Sequence, residues 1–368
     1  MRDIRISITI VTTLLISMGI VMIYSSSGVY ALKELGDATY FLKRHVMFLA
    51  IGFLLTFLMM TLDYRDLRRL AKPLMIIAVV LLVLVLIPGI GKASFGARRW
   101  FKLGMFSFQP SEFAKLALII YVADFLARKK NKISEFRQGF LPLMLVLGVI
   151  CLLVVEQPDL GNTLLLGVIA IVMMFVAGAR FIHLGILIAG AVPLLIFLIV
   201  SEPYRLKRII AFLDPWADSQ GIGFQLSQSQ IALGSGGIFG VGLGHSMQKL
   251  FYLPAAHTDF ILSIIGEELG LIGTLGVVIL FVIFIWQGAR IAKRTSDPFG
   301  YFVVIGILVM LGMQAVVNIG VSIGALPTKG LPLPFISYGG SALIFNLMAV
   351  GLLLNVSRIH DLYYEGKE

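Results

Sequence analysis

The chain has 368 residues, of which 58% are hydrophobic and 14% charged, with a mean hydropathy of +0.96 and a formal net charge of +10. That balance excludes a water-soluble domain, and the apolar residues fall in runs of roughly 17–20, the length that crosses a hydrocarbon core. The positive charge does not indicate nucleic-acid binding, because the Lys and Arg residues sit in short loops between apolar runs, as membrane topology uses them. The one cysteine, Cys151, lies within an apolar run, so no intrachain disulfide and no redox chemistry are indicated.

The expected fold is all-α: a polytopic membrane protein of about ten transmembrane helices, because backbone groups in lipid have no water to bond. The first run, Ile6 to Tyr24, is too long for a signal-peptide core and reads as a retained span. The predicted spans are 6–24, 46–62, 73–90, 111–127, 139–155, 161–179, 181–200, 259–288, 300–325 and 340–357. The fourth is the least hydrophobic, since it holds Lys115 and Asp124; the eighth carries Glu267 and Glu268 in its first half. No fixed-period repeat is found. Basic residues cluster after span two (Arg65, Arg68, Arg69, Lys72), after span four (Arg128, Lys129, Lys130, Lys132, Arg137) and after span eight (Arg290, Lys293, Arg294). These alternate loops are therefore expected on the cytoplasmic side, together with both termini. One large loop, 202–258 between spans seven and eight, then faces outward, as do 89–110, 156–160 and 326–339. The chain reads as a single membrane domain, 1–368, with its motif-rich loops on one face.

Asp259 stands where the large loop returns to the membrane. It reads either as a helix cap, with Thr258 as the alternative cap, or as a general base tuned by partial burial. With a helix starting there, Asp259, Ser263 and Gly266 share a stripe. Glu112 and Lys115 at the start of span four read as a self-neutralising i,i+3 pair or as the wall of a polar cavity. Arg98, Arg99 and Lys102, with Lys92, are outward cations suited to a lipid head group or diphosphate, or simply to a solvated loop; Trp100 beside them suits an interfacial anchor. Asp159, in Gln157-Pro158-Asp159-Leu160-Gly161-Asn162, reads first as a cap of span six. The prolines and glycines of 326–341 forbid a regular helix and suit either a rigid turn or a cavity lining. The glycine-rich tract 234–244 lacks the lysine of a phosphate-binding loop, and His245 and His257 lack partners at metal-ligand spacing. No ATP site and no metal site are expected.

Several stretches, in order, resemble the SEDS family (shape, elongation, division and sporulation proteins). They are Gly96-Ala97-Arg98-Arg99-Trp100, the segment 109–115, Gln157-Pro158-Asp159-Leu160-Gly161, Phe212-Leu213-Asp214-Pro215-Trp216, the run 223–230, His257-Thr258-Asp259-Phe260, Gly266-Glu267-Glu268-Leu269-Gly270 and the segment 334–341. Pro327-Thr328-Lys329-Gly330 is more similar to the division- and sporulation-type members than to the elongation-type ones, and Ala342 stands where many members have a second serine. The resemblance implies a peptidoglycan glycosyltransferase of the bacterial cytoplasmic membrane. It would polymerise lipid II, an undecaprenyl-diphosphate-linked disaccharide-pentapeptide, into β-1,4 glycan strands during division. It implies Asp259 as catalytic residue, and Arg98, Arg99, Glu112, Lys115, His257, Glu267, Lys329 and Ser337 as substrate-binding residues. Arg98, Arg99 and Lys115 would meet the diphosphate, while Glu112 and the 337–341 turn would form a lipid-lined groove. No cofactor is required, although a divalent cation could share the diphosphate charge. The implied partners are a class B penicillin-binding transpeptidase and other division proteins. The alternatives are a lipid II flippase, an elongation- or sporulation-type polymerase, and a non-catalytic scaffold.

Overall fold

The computed structural model describes residues 1–94, 97–104, 106–129 and 132–365; Gly96 and Lys130, used above, lie outside the described residues. Twelve α-helices are found among them, and ten occupy the ten predicted spans. These ten are α1 (Arg2–Leu35), α2 (Tyr40–Thr61), α3 (Leu67–Leu86), α4 (Pro110–Arg128), α5 (Leu141–Val155), α6 (Leu160–Val176), α7 (Phe181–Val200), α10 (Ile261–Arg294), α11 (Pro298–Ser322) and α12 (Gly340–Glu365). Eight of them are long and apolar enough to cross a membrane. The other two are α6, with 17 residues, and α4, which carries Glu112, Lys115 and Asp124.

The low hydropathy of α4 has a structural reason. It packs against α3, α6, α11 and α12, and most of its side chains are buried in protein rather than lipid. Its charges are neutralised locally. Lys115 Nζ lies 2.8 Å from Glu112 Oε1, and Asp124 accepts from Arg128 Nη2 at 2.6 Å and from Arg68 Nε at 3.1 Å. At the opposite extreme, only His183 and Leu184 of α7 are buried, so that helix presents most of its surface to lipid. Arg5 of α1 donates to Asp361 of α12 at 2.5 Å, which places both ends of the chain on one face of the bundle.

Two segments expected to be loops are structured. Residues 89–110 contain three antiparallel strands, β1 (Lys92–Ser94), β2 (Ala97–Leu103) and β3 (Phe106–Phe108), with Phe101 paired to Phe108 and their rings stacked at 6.3 Å. The large loop contains α8 (Pro203–Leu213) and α9 (Phe224–Ser235).

The glycine-rich tract finds its purpose in α10. That helix is broken at Gly270 (φ 68, ψ −161). The break frees backbone groups on both sides, and the tract bonds them: Val241 N–H donates to Glu267 O (2.9 Å) and Gly242 N–H to Glu268 O (3.0 Å). On the far side, Leu271 N–H donates to Gly237 O (2.9 Å) and Ile272 N–H to Ile238 O (3.3 Å). Backbone meets backbone here. A Cβ on Gly240 would sit 2.2 Å from Glu268 O, and one on Gly270 would sit 2.4 Å from Gly240 N.

Gly240→Ala is therefore expected to destabilise the fold by about 2 kcal/mol or more, through both the clash and the left-handed backbone. Gly234→Ala, in a helical site with nothing within 4 Å, is expected to be neutral or mildly stabilising. Thermal melts of the two variants in detergent test the contrast.

Candidate active site

Asp259 lies two residues before α10. The helix begins at Ile261 with Phe260 as its N-cap residue, and no side chain caps it, so neither Asp259 nor Thr258 serves as a cap. The local chain is held by its backbone instead. Ala255 adopts a left-handed conformation (φ 57), and its carbonyl accepts from Thr258 N–H (3.0 Å) and Asp259 N–H (3.1 Å). Asn318 of α11 donates through Nδ2 to Asp259 O and to Leu331 O, each at 2.9 Å, which clamps two chain segments to one side chain. The Asp259 carboxylate makes no hydrogen bond or ion pair with any described residue. Gly330 lies beside it, and a Cβ there would come within 3.3 Å of Oδ2.

The carboxylate opens into a cavity of about 1290 Å³. The walls come from distant parts of the chain: Ser26 and Tyr30 of α1, Arg99 and Trp100 of β2, Asp159 at the start of α6, Glu202, Tyr204, Arg205 and Arg208 at α8, Lys249, residues 253–260, and residues 327–330. Burial pushes the Asp259 carboxyl up to about 6; Arg208 opposes the rise and Asp159 adds to it. Burial lowers the Lys329 ammonium, with Arg208 acting in the same direction and Asp159 opposing it. Burial also brings the His257 imidazole down to about 4, so it is neutral at pH 7. The His257 ring sits among Phe41 (4.5 Å), Tyr338 (5.9 Å) and Tyr30 (6.0 Å).

The nine residues singled out from sequence separate into two groups. Asp259, His257, Lys329 and Arg99 reach the cavity. Arg99 is partly committed, since its Nε donates to Gln157 O at 2.8 Å and its Nη2 to Pro158 O. The remaining five do not line it. Arg98 is exposed and lies 3.5 Å from Leu86 O. Glu112 and Lys115 are sealed in the bundle as a pair, each side chain 2% exposed, with Glu112 Oε2 left without a hydrogen-bond partner; the i,i+3 pair is formed and neither residue lines this cavity. Glu267 is buried and accepts from Ser246 Oγ, Met247 N–H (2.8 Å) and Gln248 N–H (3.4 Å), and these bonds hold the loop against α10. Ser337 is buried too, and its Oγ donates to Thr258 O at 2.6 Å and accepts from Leu333 N–H at 2.9 Å, so it holds the backbone next to Asp259.

Lys102 is also off the cavity; neighbouring Lys92 pushes its ammonium below the usual range. Asp159 does cap α6, accepting from Asn162 N–H at 3.2 Å, and it lines the cavity as well. Sequence reasoning missed Arg205, Arg208 and Lys249. The first two carried a usable signal: Tyr204, Arg205 and Arg208 lie on a short amphipathic helix, with the two arginines at i,i+3. Lys249 had none, because its place is set by Glu268 (2.7 Å) and Ser25 (3.0 Å), remote in sequence. Among the described residues no three or more His, Cys, Asp or Glu side chains form a group able to hold a metal.

Ten bundled helices, and a cation-rimmed chamber whose wall holds the unpartnered Asp259 carboxylate, define a polytopic membrane protein with the makings of an enzyme site. The FTSW/RODA/SPOVE cell cycle protein model matches residues 5–361, and the chain belongs to that family. It is 49% identical over 339 residues to the "Probable peptidoglycan glycosyltransferase FtsW" of Geobacter sulfurreducens, covering 92% of this chain and 91% of the relative. It is 47% identical over 351 residues to "Stage V sporulation protein E" of Bacillus subtilis, covering 95% and 96%. Among solved structures, the rod shape determining protein RodA of Thermus thermophilus superposes with a TM-score of 0.72 at 30% identity, covering 97% and 96%. A chain from a structure described as "Structural coordination of polymerization and crosslinking by a peptidoglycan synthase complex" gives a TM-score of 0.77 at 32% identity, covering 96% and 97%.

Two outcomes follow. Above pH 6 the buried, ionised Asp259 costs stability, and below about pH 4, where it is protonated both folded and unfolded, it costs nothing. Asp259→Asn is thus expected to melt higher than the parent at pH 8, by the equivalent of about 1–3 kcal/mol, and to match it at about pH 3. Lys115→Met leaves a buried carboxylate without its counter-charge and is expected to cost about 3–5 kcal/mol, much of it recovered by adding Glu112→Gln. A substrate contact would instead leave the melting temperature unchanged and raise KM.

Proposed function

We infer that this chain is a division-type peptidoglycan glycosyltransferase that polymerises lipid II on the outer face of the bacterial cytoplasmic membrane. The observation carrying the mechanism is the unpartnered Asp259 carboxylate, pushed up to about 6 inside a chamber rimmed by cations. A general base works best when its pKa lies near the operating pH. Asp259 takes the proton of the acceptor GlcNAc 4-hydroxyl. The freed oxygen pair attacks the anomeric carbon of the donor MurNAc, the bond from that carbon to the diphosphate oxygen breaks, and inversion yields the β-1,4 link. Undecaprenyl diphosphate leaves with the electron pair, and Asp259 returns its proton to solvent. The leaving group is already activated, so the protein need only position the reactants and stabilise charge.

Arg208 acts on the Asp259 carboxyl and Lys329 lines the same cavity, and we assign both to the diphosphate, with Arg205 and Arg99 fixing the wall behind. The basic loops and both termini face the cytoplasm in this reading, and the partner is a class B penicillin-binding transpeptidase together with other division proteins. Identities of 49% and 47% to division- and sporulation-named relatives favour the division-type reading over the elongation type. The pairing of Glu112 with Lys115 and of Asp124 with Arg128 weighs against the flippase alternative, which drew on these charges as free to meet a polar head group.

The test supplies labelled lipid II to purified protein with its transpeptidase and scores glycan polymer on a gel. The parent is expected to give polymer, and Asp259→Asn to fall by about 10²–10⁴. The parent's kcat/KM is expected to rise with pH and to be half-maximal near about 6, because the base acts only when ionised. Arg208→Ala is expected to lower kcat/KM with little effect on the melting temperature. Normal polymer from the Asn variant would refute the assignment of Asp259.

A further inference from the structure

The glycine-rich tract does more than close the break in α10. Its level along the bilayer normal can be read from two helices. The hydrocarbon core takes about 20 helical residues. Counted from Arg290, at the basic end of α10, that length ends near Gly270. Counted from Arg5, at the same end of α1, it ends near Ser25. The two levels coincide in the structure, because Ser25 Oγ donates to the Glu268 carboxylate at 2.7 Å. The tract, bonded to residues 267, 268, 271 and 272, therefore lies at the hydrocarbon boundary on the side of the large loop.

Its exposed side chains at that level are Phe239 (79% exposed), Ile238 (59%), Leu243 (53%) and Val241 (45%). They continue the lipid-facing side chains of α10, where Leu271 and Ile272 are 51% and 58% exposed. Irregular backbone is tolerated at such a depth only where its polar groups are bonded, and four bonds to α10 supply that. We propose that residues 238–243 form a membrane-inserted wedge whose partner is the acyl-chain and glycerol region of the lipid leaflet on the large-loop side. The wedge is rigidly joined to the chamber: Glu267, whose carbonyl bonds Val241, also holds Ser246 and Met247, and Lys249 follows on the cavity wall. The leaflet surface thereby sets the height of the chamber above it. This inference rests on the membrane-spanning class of the chain and not on the chemistry assigned to Asp259.

The test uses the full chain in lipid nanodiscs, with Cys151→Ala as background and a nitroxide attached at Phe239→Cys. Ile279→Cys, a 55% exposed position within the span, and Glu34→Cys, an exposed position near the end of α1, are the lipid and water references. The Phe239 label is expected to relax faster with oxygen than with a water-soluble nickel chelate, as at Ile279, and Leu243→Cys should behave alike. Relaxation dominated by nickel, as at Glu34, would overturn the wedge. So would protection from both reagents, which would mean that protein covers the site.

Discussion

A single break in one helix organises the working half of this molecule. An α-helix interrupted at Gly270 leaves carbonyls and amides that neither lipid nor a dry protein interior can satisfy. The glycine-rich tract supplies the missing partners, and only glycine lets the two backbones come that close. Because the tract is part of the large loop, closing the break also docks the loop. From there the order propagates through side chains. Glu267 gathers Ser246, Met247 and Gln248, Glu268 draws in Lys249, and the chain reaches the Ala255 turn that presents Asp259.

Charge is treated in opposite ways in the two halves of the structure. Within the bundle three buried acids meet a cation at short range: Glu112 meets Lys115, Asp124 meets Arg68 and Arg128, and Glu268 meets Lys249, while Glu267 takes hydrogen bonds from the loop instead. Removal from water makes an unpaired charge there too costly. In the chamber the opposite holds for Asp259. Its backbone is clamped by Asn318 and its neighbour Thr258 by Ser337, while the carboxylate itself stays free. Such an arrangement spends its hydrogen bonds on position and leaves reactivity to the side chain, as expected of a group that must exchange a proton with a substrate. The neutral imidazole of His257, packed among Phe41, Tyr30 and Tyr338, adds a polar edge without a competing positive charge.

Much of this was legible in the amino-acid sequence, and the failures have a common cause. The ten helices of the bundle were, eight of them long and apolar enough to cross a membrane, because an apolar run is a local property. The site of Asp259 was, because it sits at a boundary between polar loop and apolar run. Span four left two readings open, a self-neutralising pair or a cavity wall, because one dimension does not show what surrounds a charge; in three dimensions Glu112 and Lys115 face each other inside a ring of helices. The strands in 89–110 were missed because a hairpin of three short strands leaves little periodic trace. Glu267 and Ser337, which the family resemblance implies as ligands, turn toward backbone they hold, a placement no local pattern shows.

What the sequence determined by itself is the class, the helices of the bundle and the place of one acid where loop meets apolar run, since hydropathy and the position of a lone charge do not depend on distant residues. Only the tertiary structure decided which cations share a cavity with that acid. Arg208 from α8, Lys329 from the segment before α12 and Arg99 from β2 come together because the helices beneath them pack, and nothing within any one of those segments specifies the other two.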